Sequence, residues 1–184
     1  MKKVLALLLA VMMVAALSVT AFADDACFEE IPIWEDEEVA FLNVSAVYFQ
    51  PVPMAPDQED IEGFDLHLEC DVSAMENTLG YELGSWVPYM TIDFEVINEE
   101  TEETAAEGSF MVMAASDGPH YGANIALPEA GTYTVRFTFH SPAENGYLVH
   151  SDAETGPGGL FDEYFADGNL TVEYEGWDYT PMEF

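Results

Sequence analysis

Basic residues are almost absent from this chain. Of its 184 residues three are Lys or Arg, against 36 Asp and Glu, a formal net charge of −33. Two of the three are Lys2 and Lys3, so once the leader described below is removed only Arg136 remains and the charge becomes −35. Such a surface repels nucleic acid and anionic lipid and draws cations toward it. Histidine is scarce too, at four: His67, His120, His140 and His150. Four are fewer than a copper, zinc dismutase uses. The two cysteines, Cys27 and Cys70, lack the setting of a blue-copper thiolate, which sits with a histidine and a methionine in one C-terminal loop. In an oxidising compartment a Cys27–Cys70 bridge and two buried thiols both remain open. No apolar run after Phe22 is long enough to span a bilayer. No nucleophile–base pair, phosphate-cradling loop or nucleotide motif is found, so hydrolase and kinase readings have no support and no enzyme is expected.

What is present begins with a leader. Lys2 and Lys3 precede an apolar run to about Val19, followed by small residues at Ala21 and Ala23, the pattern of a secretory signal peptide over residues 1–23. The acidic residues Asp24 and Asp25 argue against acylation of Cys27. With 49% hydrophobic and 13% aromatic residues the rest is no disordered chain. Its length suits one domain, expected over residues 39–184 behind an acidic arm or edge strand at 24–38.

Short alternating segments follow. Strands are expected at 39–50, 64–72, 86–97, 108–114, 131–140 and 169–177, separated by Gly, Pro and Asp turns. The run NEETEETAAEG is expected as a solvated hairpin tip. With no helical period and no repeat, the fold class is all-β, an immunoglobulin-like antiparallel β-sandwich.

Period two then sorts side chains by face. Phe64, Leu66, Leu68, Cys70 and Val72 point into the core, and His67 and Glu69 project together from the other face. In GSFMVMAASDGPHYGANI, Phe110, Val112 and Ala114 are expected to face the core and Met111 and Met113 the opposite side. Alternation does not choose between the two methionines. A Gly-Pro turn delivers His120 next to them. His150 lies in a long, glycine-rich connection of the kind that is commonly functional. His140, outward at a strand end, is set aside. Imidazoles, a carboxylate and a thioether favour copper, with iron as a harder second metal and zinc open through the histidines alone.

The segments AVYFQPVPMAP, DLHLECDV, GSWVPYMTI, GSFMVMAASDGPHYGANI and HSDAETGPG, in this order, resemble the periplasmic iron-transport protein family, copper-binding partners of Ftr-type iron permeases. The likeness runs from about Val39 to Trp177. It implies a periplasmic homodimer that helps deliver iron to an inner-membrane permease. It also implies copper held by the family's motif residues, which fall here on His67, Glu69, Met113, His120 and His150. Leu148 replaces a further histidine of some relatives, Cys70 a small apolar residue, and Val149 a basic one. A copper- or zinc-binding surface antigen or adhesion module without a transport role is the alternative reading.

Overall fold

Two β-sheets follow from where the alternating residues must be buried. The computed structural model describes residues 29–58 and 60–184. The expected signal peptide and Cys27, with any bridge it would form, lie outside them. The described residues form nine strands: β1 (Ile31–Val39), β2 (Leu42–Phe49), β3 (Leu66–Ala74), β4 (Ile92–Asn98), β5 (Thr104–Ser109), β6 (Met111–Ala114), β7 (Pro119–Ile125), β8 (Gly131–Phe139) and β9 (Leu170–Tyr179). One sheet has the order β1-β2-β3-β7-β6 and the other β5-β4-β8-β9, with all pairings antiparallel. The arrangement is an antiparallel sandwich, as the strand pattern predicts.

The core sits between the sheets and is made by the expected faces. Ile92, Phe94 and Val96 of β4 and Tyr133, Val135, Phe137 and Phe139 of β8 meet Leu66, Leu68, Cys70 and Val72 of β3, all buried. Each large side chain removed from water in this way contributes about 1.5–3 kcal/mol of transfer free energy. β1 joins the core through Trp34, whose ring lies 4.8 Å from that of Phe137 in the facing sheet and whose Nε1 donates to the Val44 carbonyl. Cys70 is fully buried and has no disulfide partner among the described residues, and burial pushes its thiol pKa well above the usual range.

The segment 104–114 departs from expectation. NEETEETAAEG is a turn only in its first half; Thr104–Ser109 returns as edge strand β5, paired with β4. Its side chains are almost all exposed, so no hydrophobic alternation marks it. The single strand expected over 108–114 is broken at buried Phe110, whose N–H donates to the Ile92 carbonyl before the chain crosses to the other sheet as β6. Alternation cannot be carried across such a crossing. Val112 and Ala114, expected in the core, are exposed, and Met111 and Met113 are half-buried. Among the described residues no helix is long and apolar enough to cross a membrane.

Candidate metal centre

Three hydrogen-bonded strands carry the site on one face. Cross-strand partners share a face of a sheet, and the register pairs His67 with Asn124, Glu69 with Gly122, Met111 with Gly122 and Met113 with His120. His67, Glu69, Met111, Met113, His120, Gly122 and Asn124 therefore lie on the side of β3–β7–β6 turned away from the sandwich core. Although that side points away from the core between the sheets, His67 is 0% and Glu69 3% exposed. The reason is the proline-rich segment after β2. Val52, Pro53, Met54 and Ala55 form one wall of a cavity of about 790 Å³ that His67, Glu69, Met113, His120, Asp117 and Glu30 complete.

Within the cavity one ligand atom from each of His67, Glu69 and His120 lies within 4.8 Å of the others. Nδ1 of His120 is 3.2 Å from Oε1 of Glu69. Nδ1 of His67 is 2.9 Å from Oδ1 of Asn124, while its Nε2 is buried and has no hydrogen-bond partner among the described residues. An unsatisfied buried polar atom costs about 1–3 kcal/mol, so this one calls for an explanation. The space beside it is kept open by Gly122: a Cβ there would stand 2.6 Å from His67 Nε2.

Met113 lines the cavity. Met111 does not, and its Sδ accepts a hydrogen bond from Nε2 of Gln58 at 3.1 Å. The structure thus separates two methionines that alternation could not. His150 is placed elsewhere. It is exposed on the connection between β8 and β9, beside a separate pocket of about 480 Å³ that it shares with Asp152 and Glu163. One chain therefore brings together His67, Glu69, Met113 and His120, and leaves His150 apart. His140 is engaged by Asp93 at 2.8 Å and by Asn169 at 3.1 Å, away from the cavity.

Charge in this region is one-sided. Burial first, then the negative charges of Asp71, Glu30 and Asp117, push the Glu69 pKa up to about 8. Burial pulls His67 down to about 4, its hydrogen bond to Asn124 opposing the shift and His120 adding to it. Arg136, the one basic residue expected to remain after leader cleavage, is held by Glu95 and Glu173 in the other sheet. Buried carboxylate and imidazole without a basic partner are the setting in which a cation supplies the missing charge.

Sequence reasoning passed over Gly122, Asn124 and Met54. The first two could have been found, since they follow His120 at steps of two in PHYGANI and so share its face. Met54, from the covering segment, carries no periodic signal.

A family model described as Fe2+ transport protein matches residues 27–180. The chain belongs to this family. Among curated relatives it is 41% identical over 155 residues to the 34 kDa membrane antigen of Treponema pallidum (strain Nichols), covering 81% of this chain and 76% of that one. It is 35% identical over 161 residues to a UPF0423 protein of Brucella abortus (strain 2308), covering 84% and 85%. Among solved structures it resembles FetP of a uropathogenic E. coli strain, at a TM-score of 0.75 and 38% identity over 85% of this chain and 99% of that one. It also resembles copper-reconstituted P19 of Campylobacter jejuni, at a TM-score of 0.75 and 36% identity over 85% and 99%.

Proposed function

We propose that this chain is an extracytoplasmic metal-binding protein of iron uptake, which holds copper in the β3–β7–β6 cavity, takes iron as cargo, and passes it to an inner-membrane permease. The observation that carries the reading is the buried, partnerless Nε2 of His67, facing room that only a glycine at 122 leaves, with Glu69 and His120 in ligand range. The donors suit copper. His67 and His120 offer imidazole nitrogens, Met113 a soft thioether and Glu69 a carboxylate, a mixture that favours copper over magnesium or calcium. Copper-bound variants of both FetP and P19 are among the similar structures.

Each residue has a separate task. His67 and Glu69, two apart on a central strand, fix two donors on a rigid element. Asp117 and Glu30 at the cavity wall draw cations inward, and Glu69, protonated in the metal-free fold below about pH 8, gives up its proton when a cation replaces it. The segment Val52–Ala55 covers the donors and limits water. Bound copper would supply a one-electron redox centre beside the iron cargo. His150, the fifth family position, does not line this cavity, so it reaches the metal from a second copy of the chain, in a homodimer. Delivery to the periplasm or cell exterior follows from the leader.

Titration of the mature protein with ferrous iron, with and without prior copper loading, tests the reading. Iron binding that depends on copper supports it, and iron binding of equal strength in both would overturn it. A copper- or zinc-binding surface antigen without a transport role would hold the metal but take no iron, so the same titration separates the two readings.

A further inference from the structure

We propose that Asn124, and independently Thr155 with Asp152, are positioning residues: they hold His67 and His150 as the tautomer with hydrogen on Nδ1, leaving the Nε2 lone pair for a metal. The inference rests on the metal-site reading above.

For His67 the argument starts from a backbone group whose chemistry cannot be exchanged. The N–H of Val52 donates to Oδ1 of Asn124 at 3.1 Å, and Nδ2 of Asn124 donates to the Val52 carbonyl at 2.7 Å. Pro51 and Pro53 flank Val52 and restrict its backbone. The amide can therefore stand only one way round, with its oxygen toward the imidazole. That oxygen is 2.9 Å from Nδ1 of His67. Two acceptors cannot form a hydrogen bond, so Nδ1 carries the hydrogen and neutral His67 keeps its lone pair on Nε2.

For His150 the fixed point is a carboxylate. Asp152 accepts from the N–H groups of Glu154 and Thr155 through Oδ1, and from the Thr155 hydroxyl through Oδ2 at 2.7 Å. With three hydrogens donated to its two oxygens, this carboxylate is an acceptor only. The single hydroxyl hydrogen of Thr155 is thereby committed. Its oxygen, 2.9 Å from Nδ1 of His150, can only accept, which places hydrogen on Nδ1 here as well. The turn that makes this contact closes because residue 156 is glycine: a Cβ there would stand 2.3 Å from the His150 carbonyl and 2.7 Å from that of Asp152. Two unrelated pieces of backbone thus lead to the same tautomer. Such outer partners typically change metal affinity about 10–100-fold.

Long-range proton–nitrogen correlation spectra of the labelled, metal-free mature protein read the tautomers directly. The expected result is Nδ1–H at both His67 and His150. Asn124→Leu should release His67 alone and weaken copper binding about 10–100-fold. Asn124→Asp, which keeps an acceptor, should retain the tautomer. Thr155→Val should release His150 alone, and Thr155→Ser should restore it. Nε2–H at either histidine in the wild type, or tautomers unmoved by Asn124→Leu and Thr155→Val, would overturn the inference. Should Asn124→Leu not fold, the wild-type spectrum and the Thr155 pair decide it. A chain with the expected tautomers that binds no copper overturns the metal-site reading instead, so the two failures are distinguishable.

Discussion

The strands β3–β7–β6 and the loop between β8 and β9 both present histidines, and they do so by opposite means. On the sheet, His67, Glu69 and His120 are fixed by cross-strand register and buried under the 52–55 segment. On the loop, His150 is exposed and held only by local contacts, the Thr155 hydroxyl and a glycine-closed turn. A buried donor without a partner is unfavourable in the metal-free fold and gains most from a metal. An exposed donor has water, costs little, and is free to meet another molecule. The difference fits the centre proposed above, in two parts, a costly half inside the chain and an inexpensive half turned outward.

The largest effect expected from breaking this contrast is on the sheet side. His67→Ala should lower copper affinity by more than about 100-fold, beyond the range of outer-partner changes, measured by calorimetric titration. Next comes Gly122→Ala, which leaves every donor in place but fills the space beside His67 Nε2. It should weaken copper by about 10–100-fold, with an overpacking cost of about 1–3 kcal/mol visible as a lower Tm. Unchanged copper affinity would mean that the space is not where the metal goes.

His150→Ala should do less, about tenfold, within the range of supporting residues, and its effect should depend on protein concentration. Dilution of the wild type below its dimer dissociation range should bring its affinity down to that of the variant. A His150→Ala loss that is the same at all concentrations would place His150 in its own chain's site.

The smallest expected effect is on metal-free stability against pH. Glu69 has a folded pKa of about 8 against 4.5 unfolded. The folded chain therefore holds the extra proton, and the stability this gives is lost as pH rises through about 8. His67 runs the other way: at about 4 against 6.5, the unfolded chain binds the extra proton, and stability falls as pH drops from 6.5 toward 4. Above pH 6.5 Glu69 acts without His67. Tm of the chelator-treated protein should decline between pH 6.5 and 8, and Glu69→Gln should flatten that decline. A Tm that rises over this interval in the wild type contradicts the assignment.

Much of the molecule was legible from period two. The inward faces of β4 and β8, and the His67–Glu69 pair, follow from alternation along single strands. The family motif then singled out Met113, and the structure sets it in the cavity while Met111 is bound to Gln58. Alternation failed at Phe110, because a strand that crosses between sheets restarts its faces, and at β5, whose exposed side chains carry no hydrophobic signal. Burial of the site was not legible either. It depends on where the Val52–Ala55 segment folds back, a long-range contact that no local pattern encodes. Asn124 and Gly122 were within reach of face-sorting, since they stand at steps of two from His120, which the Gly-Pro turn had already marked.

The metal content of the mature wild type and of His67→Ala, each loaded with excess copper and dialysed, tests the centre most directly. About one copper per wild-type chain is expected, and almost none in the variant. Equal retention by both, or none by the wild type, would contradict a centre built on His67, Glu69 and His120.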